Sequence, residues 1–381
     1  MQMRSVTGVD KLRTLNDRRP MMTPLRNLLI RPAVLVIGLA VHGCGNDGVG
    51  PDDGGGEVDL EALFAPASSS EITTVSADWA SRSLDAVDVS TELDSVVSVV
   101  GLDVRVRIIS HLVDGSVRHI GAIITPSSIS GSAPVVVYSH GGSAGVDLNY
   151  ALFGYLPTFG DLARDFIWVV PSFRSEPLIF GDRSWVSEGS GSPWDRDVDD
   201  ALSLLNAAFV VETRADSTRV GVLGFSRGAG VALLMGIRDD RIDRVVEFYG
   251  PTDFFGPFVE AVVSEALAGT PRDLPGMTEL DRDVIQPLVR GEIDMAAARL
   301  EFVRRSSVLF VDRMPAVQIH HGTADDVVSV SQAESLISAL EAAGRSEPDV
   351  QAFLYEGGTH DRGALIGALE RTRDFLVTLL E

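Results

Sequence analysis

Ser226 lies where the surrounding residue types could turn a serine into a nucleophile. It is the centre of Gly224-Phe225-Ser226-Arg227-Gly228, a G-x-S-x-G pattern. The apolar run Val220–Leu223 precedes it and the helix-forming run Ala229–Met235 follows it. A serine on a sharp strand-to-helix turn needs small neighbours, and the helix N-terminus favours negative charge beside it. The pattern therefore predicts an activated serine, with a plain glycine-rich turn as the alternative.

His360 is the histidine that best fits the base such a serine requires. A histidine must accept the hydroxyl proton and a carboxylate must orient the imidazole, in the chain order serine, acid, histidine. His360 follows the predicted strand Val350–Tyr355, in a glycine-rich loop. His320 and His321 precede the candidate acid, so they are interpreted as residues that shape their own loop. For His360, an ordinary solvated loop histidine is the alternative.

Asp325 is the predicted acid. It lies in the loop that leaves the predicted strand Ala316–Ile319. Catalytic side chains in open α/β sheets gather at the carboxyl ends of strands, which is where this loop begins. The adjacent Asp326 is the alternative acid. The sequence thus offers three residues in the required order, each after a predicted strand.

Two backbone N–H groups are predicted to bind the negatively charged oxygen of the tetrahedral state. The apolar strand Pro134–Tyr138 is followed by Ser139-His140-Gly141-Gly142-Ser143, where paired glycines let the backbone approach a substrate carbonyl. Gly142 is the predicted first donor, and Arg227, which follows the serine, is the second. A simple tight turn is the alternative role of the glycines.

Several segments of the chain resemble the α/β-hydrolase superfamily, and most closely the catalytic domain of the prolyl oligopeptidase family and its esterase relatives. The resemblance extends from about Val117 to the C-terminus. In those families the serine of the turn, the aspartate of the H-G-x-x-D loop and the final loop histidine form the catalytic triad. The resemblance therefore implies a triad of Ser226, Asp325 and His360. The segments are IGAIITP, VVVYSHGG, GVLGFSRGAG, FYGPTDFF, RMPAVQIHHGTADDVVSV and FLYEGGTH.

Some residues depart from the pattern of these families. Ala229, Ser329 and Asp361 stand where the relatives commonly have glycine, proline and glycine, which favours a divergent branch. None of these departures removes a catalytic group. The chain also has no room for the β-propeller that precedes the hydrolase domain in large oligopeptidases, which shifts the expectation toward esters and small amides.

Apolar strands alternate with helical segments along residues 71–381, which predicts one α/β domain. The expected fold is a doubly wound, mostly parallel sheet of the α/β-hydrolase type, with antiparallel strands at its N-terminal edge. Residues 252–305 are predicted to form a helical cap over the active site, with decoration outside the sheet as the alternative. Trp185 and Trp194, in a glycine-serine loop, either line the substrate site or pack that loop. The predicted strands are Val96–Val100, Val104–Ser110, Arg118–Thr125, Val135–Ser139, Ile167–Val170, Val220–Leu223, Val245–Phe248, Ala316–Ile319 and Val350–Tyr355.

The spacing of apolar residues in 195–209 predicts an amphipathic helix with an acidic side. This side is interpreted as a solvated face that also favours the helix N-terminus, and a metal site is the alternative. The acidic residues are Asp195, Asp197, Asp199 and Asp200.

Residues 1–43 have the layout of an export signal. Arg26 and Arg31 precede the apolar run 33–41, which is too short to span a bilayer by itself. Cys44 follows directly, and Val-His-Gly-Cys resembles a bacterial lipoprotein processing site. Cys44 is therefore the predicted lipidation site and membrane anchor, with a conventional signal cleaved nearby as the alternative.

The remaining boundaries follow from composition. Translation that starts at Met21 or Met22 would keep the signal intact. Residues 44–70, rich in glycine and aspartate, are predicted to be a flexible tether to the hydrolase domain at 71–381. Cys44 is the only cysteine, which excludes an intrachain disulfide.

Acidic residues outnumber basic ones by 54 to 32, giving a formal net charge of −22. Such a surface repels phosphate groups, which excludes nucleic acid as an expected partner. The predicted chemistry needs no metal or organic cofactor.

Together these features predict an exported serine hydrolase that cleaves an ester or peptide bond through an acyl-enzyme. The expected location is at a membrane through the lipid anchor, in the periplasm, the outer membrane or the cell surface, with secretion as the alternative. Short peptides are the substrates that the resemblance implies, and acylated sugars or polyesters are the ester alternative. A non-catalytic lipoprotein that uses the hydrolase fold to bind a ligand is the rival from another class, although it would not need three dispersed catalytic residues.

Overall fold

A nine-stranded sheet forms the centre of the protein in a computed structural model, which describes residues 58–381. The predicted signal segment 1–43, the predicted lipidation site Cys44 and most of the predicted tether lie outside the described residues. The strands are β1 (Val87–Val99), β2 (Leu102–Val113), β3 (Val117–Pro126), β4 (Ala133–Ser139), β5 (Val146–Asp147), β6 (Ile167–Ser172), β7 (Pro177–Phe180), β8 (Arg183–Val186), β9 (Ala215–Phe225), β10 (Ile242–Phe248), β11 (Ala316–Gly322) and β12 (Val350–Tyr355).

The strand order across this sheet is β1-β2-β3-β6-β4-β9-β10-β11-β12. The pairs among β1, β2, β3 and β6 are antiparallel, whereas all pairs from β6 through β4 to β12 are parallel. The predicted fold class, a mostly parallel sheet with antiparallel N-terminal edge strands, is confirmed. The short strands β5, β7 and β8 form a separate small sheet that the sequence analysis did not predict.

Helices connect the parallel strands, because a parallel pair needs a crossover connection. None of the helices in the described part of the chain is both long and apolar enough to cross a membrane. The α-helices are α1 (Leu60–Phe64), α2 (Ser69–Ser81), α3 (Leu148–Tyr150), α4 (Arg196–Val211), α5 (Arg227–Arg238), α6 (Pro257–Leu267), α7 (Met277–Leu280), α8 (Gln286–Val289), α9 (Met295–Val303), α10 (Ser331–Ala342) and α11 (Ala368–Leu376). Segments of π-helix occupy Ala151–Tyr155 and Asp281–Ile285, and segments of 3₁₀-helix occupy Leu156–Arg164, Ser307–Arg313, Arg362–Ala364 and Val377–Leu380.

The central strands are buried on both faces. In β4, Val135 and Val137 belong to the core that includes α4 and α5, whereas Val136 belongs to the core that includes α11. Successive side chains of a strand point to opposite faces, so a strand covered on both sides must be apolar throughout. This explains why the continuous apolar runs of the sequence mark the central strands.

The predicted tether at residues 44–70 extends too far toward the C-terminus. Helix α1 lies within it, and Leu63 of that helix is fully buried. The Arg299 guanidinium of α9 donates hydrogen bonds to carbonyl groups at the C-terminal end of α1. The glycine-rich composition that prevents burial ends before α1, so the apolar residues that follow can pack against the domain.

The interpretation of the acidic side of α4 as a solvated face is wrong. All four aspartates are buried, and each forms an ion pair with an arginine of another element. The pairs are Asp195–Arg82, Asp197–Arg227, Asp199–Arg238 and Asp200–Arg174. A buried carboxylate is stable only when it is paired or neutral, and these arginines supply the countercharge where a metal ion was the alternative.

Candidate active site

Ser226 lies at the corner between β9 and α5. Its φ of 53° and ψ of −124° are rare for a residue with a side chain. The Ser226 N–H donates a hydrogen bond of 2.9 Å to the carbonyl of Phe248, which anchors the corner to β10. A Cβ atom on Gly224 would lie 2.3 Å from the carbonyl oxygen of Gly228, and one on Gly228 would lie 2.2 Å from that of Ser139. Only glycine therefore fits at these two positions.

His360 lies between the serine and the predicted acid. Its Nε2 is 2.9 Å from Ser226 Oγ, and its Nδ1 is 2.7 Å from Asp325 Oδ2. The three residues follow β9, β11 and β12, whose parallel carboxyl ends lie at one edge of the sheet. When Asp325 accepts the Nδ1–H bond, Nε2 presents its lone pair to the serine hydroxyl. The structure thus brings the three predicted residues into one hydrogen-bonded chain.

Asp325 accepts hydrogen bonds from the protein backbone as well as from His360. Its Oδ1 is 2.9 Å from the N–H groups of both Val327 and Val328. Burial raises the pKa of Asp325, but the bonds from His360 and from the two N–H groups outweigh burial and leave that pKa below its ordinary value. Asp326 is exposed to solvent. Asp325, rather than its neighbour, is therefore the carboxylate that can orient the imidazole.

Tyr249 packs against the imidazole, a contact that the sequence analysis missed. The ring centroids of Tyr249 and His360 are 4.3 Å apart, with the planes tilted by 49°. Tyr249 directly follows β10 with a left-handed φ of 45°, and its N–H donates to the carbonyl of His320 at 2.8 Å. The available signal was its place in FYGPTDFF, directly after a strand that neighbours the serine strand.

Glu247 is buried next to the strand-to-helix turn that carries Ser226. The register of β10 on β9 sets it opposite Gly224, and its Oε2 accepts a 2.9 Å hydrogen bond from the N–H of Gly250. Its Oε1 has no hydrogen-bond partner among the described residues. Burial raises the pKa of Glu247 to about 8. This carboxyl group is therefore largely neutral at pH 7, unlike that of Asp325.

The other two histidines of this region hold the loop that carries Asp325. His320 is bonded to Tyr355 and to Gln318, each at 2.8 Å, and His321 Nε2 is 2.9 Å from the carbonyl of Val328. Burial lowers the pKa of His320 to about 3, so its ring stays neutral.

The segment predicted to supply an oxyanion donor lies against the serine turn. A Cβ on Gly141 would be 2.9 Å from the carbonyl oxygen of Phe225 and 3.2 Å from the Cβ of Ser226. Gly142 has a φ of 76°, which favours glycine. The carbonyl of Gly142 accepts a 3.3 Å hydrogen bond from the side chain of Arg227. The two predicted donors, Gly142 and Arg227, are therefore neighbours beside the serine.

A pocket of about 320 Å³, including its open mouth, lies above Ser226. One wall comes from the segment 252–305 that was predicted to form a cap, through Phe258, Leu274 and Met277. The lining is almost entirely apolar and the space within it is narrow. A substrate would therefore place a small apolar group here, next to the serine hydroxyl.

The two tryptophans of the glycine-serine loop have different positions. Trp194 lines the pocket, and its Nε1–H donates a 3.0 Å hydrogen bond to the carbonyl of Arg227. Trp185 lies in β8 of the small sheet, beneath the guanidinium of Arg183 at 4.7 Å. Of the two, Trp194 is the one beside Ser226.

The described residues, 58–381, do not include a cluster of metal ligands. In that part of the chain, no group of three or more His, Cys, Asp or Glu side chains is arranged to hold a metal ion.

Comparison with known proteins gives one family and a set of similar structures. A family model described as BD-FAE matches residues 122–340. Acetyl xylan esterase 1 from Thermoanaerobacterium sp. JW/SL YS485 is 15% identical, with a TM-score of 0.58, over 85% of this chain and 100% of that one. No curated protein sequence gives a significant match.

Two further structures are more distant. An acylaminoacyl peptidase from Pyrococcus horikoshii is 14% identical with a TM-score of 0.48, over 73% of this chain and 47% of that one. An esterase from Pyrococcus furiosus is 16% identical with a TM-score of 0.47, over 77% and 92% of the two chains. The chain spans about half the length of the peptidase. The likeness to the acetyl xylan esterase establishes the α/β-hydrolase fold.

Proposed function

The chain belongs to the BD-FAE family, a family of α/β-hydrolase-type esterase domains, and from this premise we propose that it is a serine esterase acting through an acyl-enzyme. The observation that carries the proposal is the chain of hydrogen bonds from Ser226 through His360 to Asp325. This arrangement activates a serine hydroxyl, which is otherwise a weak nucleophile at neutral pH.

The first half of the reaction forms the acyl-enzyme. Ser226 Oγ attacks the ester carbonyl carbon while His360 Nε2 accepts the hydroxyl proton. The carbonyl oxygen becomes an oxyanion, which the N–H groups of Gly142 and Arg227 stabilise. When the carbon–oxygen bond to the leaving alcohol breaks, His360 returns the proton to that alcohol.

The second half repeats these steps with water. His360 accepts a proton from water, the resulting hydroxide attacks the acyl carbon, and the bond to Ser226 breaks as His360 protonates Oγ. Asp325 stays ionised throughout and stabilises the transient imidazolium. Its lowered pKa is consistent with this task, because a carboxylate that took up the proton could not stabilise the cation.

The pocket above Ser226 supports an ester of a short acyl group over a peptide. Trp194, Phe258, Leu274 and Met277 leave a narrow apolar space, which suits a small acyl chain. Short peptides are the runner-up substrates. The proposal also includes export with Cys44 as the lipid-bearing residue, on the sequence pattern alone.

Replacement of the proposed nucleophile tests the function directly. A fluorophosphonate probe should label the wild-type protein and the Ser329→Ala control, and should not label Ser226→Ala. Nitrophenyl acetate should be hydrolysed at least tenfold faster than nitrophenyl octanoate and than aminoacyl nitroanilides, since the pocket is narrow. Folded wild-type protein that neither reacts with the probe nor cleaves any of these substrates would instead indicate a ligand-binding protein.

A further inference from the structure

We propose that the Arg227 side chain is a positioning residue that orients the N–H donors of the oxyanion loop, defined as residues 140–145. This inference rests on the proposed esterase function and deepens it. Arg227 enters the reaction scheme only through its backbone N–H. Its side chain takes no part in that scheme.

The Arg227 guanidinium is buried and bonds three separate segments. Its Nε and Nη2 lie 2.9 Å and 2.7 Å from Asp197 Oδ2 of α4. Its Nη1 bonds the carboxylate of Glu176, which precedes β7, and also the carbonyl of Gly142 at 3.3 Å. The ring of Phe173 lies 4.8 Å below the guanidinium carbon. Only 2% of Arg227 is exposed, so these contacts fix the plane of the group.

The bond to the Gly142 carbonyl fixes one of the two peptide planes that meet at Gly142. In a trans peptide the C=O and the following N–H point in opposite directions. Because the Gly142 carbonyl turns toward Arg227, the N–H of Ser143 turns away from the buried cluster. The Gly141 carbonyl is likewise turned toward His140 Nδ1, at 3.1 Å, so the N–H of Gly142 turns away from that ring. Both carbonyls are held, so both peptide planes that meet at the Gly142 Cα are fixed, and with them the direction of the Gly142 N–H proposed as oxyanion donor.

The neutral state of His140 fits this arrangement. The ring is buried, and burial lowers its pKa to about 4. A carbonyl can only accept, so the proton of the neutral ring must be on Nδ1. His140 packs on Phe173 with ring centroids 4.5 Å apart, the same ring that supports Arg227.

The segment that carries Glu176 contacts the oxyanion loop at a second point. Besides bonding Arg227, Glu176 directly precedes Pro177, which packs against Gly145 at the far end of the loop. Gly145 packs closely there, because a Cβ on it would lie 2.1 Å from the carbonyl oxygen of Pro177. The loop is therefore held at Gly142 by Arg227 and at Gly145 by Pro177, the residue that follows Glu176.

Fixed donors matter more in the transition state than in the bound substrate. The ester oxygen carries a full negative charge only in the tetrahedral state, and loss of one donor typically lowers kcat by 10²- to 10³-fold. Donors that are present but badly aimed should lower kcat by less, about 10- to 100-fold, with little change in KM. The side chain of Arg227 thus acts through the oxyanion loop and does not contact substrate.

Arg227→Lys is the informative variant because it keeps the positive charge between Asp197 and Glu176. One ammonium nitrogen cannot make the separate bonds of Nη1, Nη2 and Nε, so the bond to Gly142 should be lost. Arg174→Lys is the matched control, since Arg174 pairs with buried Asp200 of α4, the helix that also carries Asp197. Among the described residues, its side-chain hydrogen bonds go to Asp200 and not to the oxyanion loop. Glu176→Gln, which weakens the acceptor that holds Arg227, is a second variant and should lower kcat about three- to tenfold.

Three measurements test the proposal: kcat and KM on an ester substrate, and the affinity for a ketone inhibitor. Arg227→Lys should lower kcat about 10- to 100-fold, change KM less than about threefold, and weaken binding of a trifluoromethyl ketone by the same factor as kcat/KM. Such a ketone binds serine esterases as a tetrahedral anion, so its affinity reports the oxyanion donors. Arg174→Lys should change kcat by less than about threefold, even if its melting temperature falls as much as that of Arg227→Lys.

Other outcomes would overturn the inference. Arg227→Lys with wild-type kcat, or with lower kcat and unchanged ketone affinity, would show that the side chain does not orient the donors. Equal losses of kcat in Arg174→Lys would show a general effect of the buried ion pairs. An inactive wild-type enzyme would overturn the proposed function as well, which distinguishes that failure from failure of the Arg227 role alone.

Discussion

Asp325 and Asp199 are both carboxylates with buried side chains, yet their partners give them different tasks. Asp325 bonds an imidazole and two backbone N–H groups. Asp199 bonds the guanidinium groups of Arg82, Arg196 and Arg238. An imidazole can gain and lose a proton near neutral pH, whereas a guanidinium keeps its proton. The comparison teaches that the partner, more than the burial, separates a carboxylate proposed to support catalysis from one that supports the fold.

Glu247 is a third case within the same comparison. It is as deeply buried as Asp199, but its one hydrogen bond comes from the neutral N–H of Gly250. With no cation beside it, burial raises its pKa to about 8, and the carboxyl group holds its proton. The three carboxyl groups should therefore respond differently when each is replaced by its amide.

Asp325→Asn should produce the largest effect. An asparagine can favour the wrong tautomer of His360, and the loss of the imidazolium's counter-ion should lower kcat by about 10³- to 10⁴-fold. Steady-state kinetics on a nitrophenyl ester would measure this. The matched control, Asp326→Asn, alters an exposed neighbour and should keep kcat within about twofold. Equal losses in both variants would break the distinction between the two aspartates.

Asp199→Asn should reduce the free energy of unfolding, with kcat changing far less than in Asp325→Asn. Removal of one partner from a buried ion pair leaves uncompensated charge and costs about 3–5 kcal/mol. Urea denaturation would measure the loss. Asp94→Asn is the control, because Asp94 pairs with Arg105 at the surface and should contribute less than about 1 kcal/mol. A stability near the wild-type value in Asp199→Asn would contradict a structural role for the α4 pairs.

Glu247→Gln should have the smallest effect, and one that depends on pH. The pKa of Glu247 is about 8 in the folded chain against an ordinary value of 4.5, so the unfolded chain loses this proton first as pH rises. The stability that Glu247 contributes is complete below pH 4.5 and is lost as pH rises toward 8, by a few kcal/mol at most. The free energy of unfolding, measured from pH 5 to pH 8, should therefore decline less steeply in the variant than in the wild type. Parallel curves would show that Glu247 is not neutral in the folded protein.

The sequence predicted the central sheet well because its strands are buried on both faces. Continuous apolar runs such as Val135–Ser139 and Ile167–Val170 lie inside β4 and β6. The edge strand β1 was harder to predict. It begins at Val87, but most of its residues are exposed and polar, so the sequence analysis identified only the part near Val96–Val100. An edge strand needs few apolar residues, and periodicity then carries little information.

The same reasoning separates the predicted and the missed parts of the site. Ser226, Asp325 and His360 could be proposed because each has a local signal, a motif or a glycine-rich loop after a strand. The environment of Arg227 has no local signal, because its partners Glu176 and Asp197 are 51 and 30 residues away in the chain. The acidic residues of α4 were misinterpreted for this reason, since nothing within the helix itself reveals arginines that approach from other elements.

The tight packing of Gly224 and Gly228 limits how this enzyme could change over evolutionary time. Any side chain at either position would collide with backbone atoms, and backbone cannot rotate aside as a side chain can. The Ser226 side chain between them instead faces His360 and the pocket. A descendant with different chemistry could thus exchange Ser226 in one mutational step, while the two glycines would persist as a trace of the ancestral hydrolase.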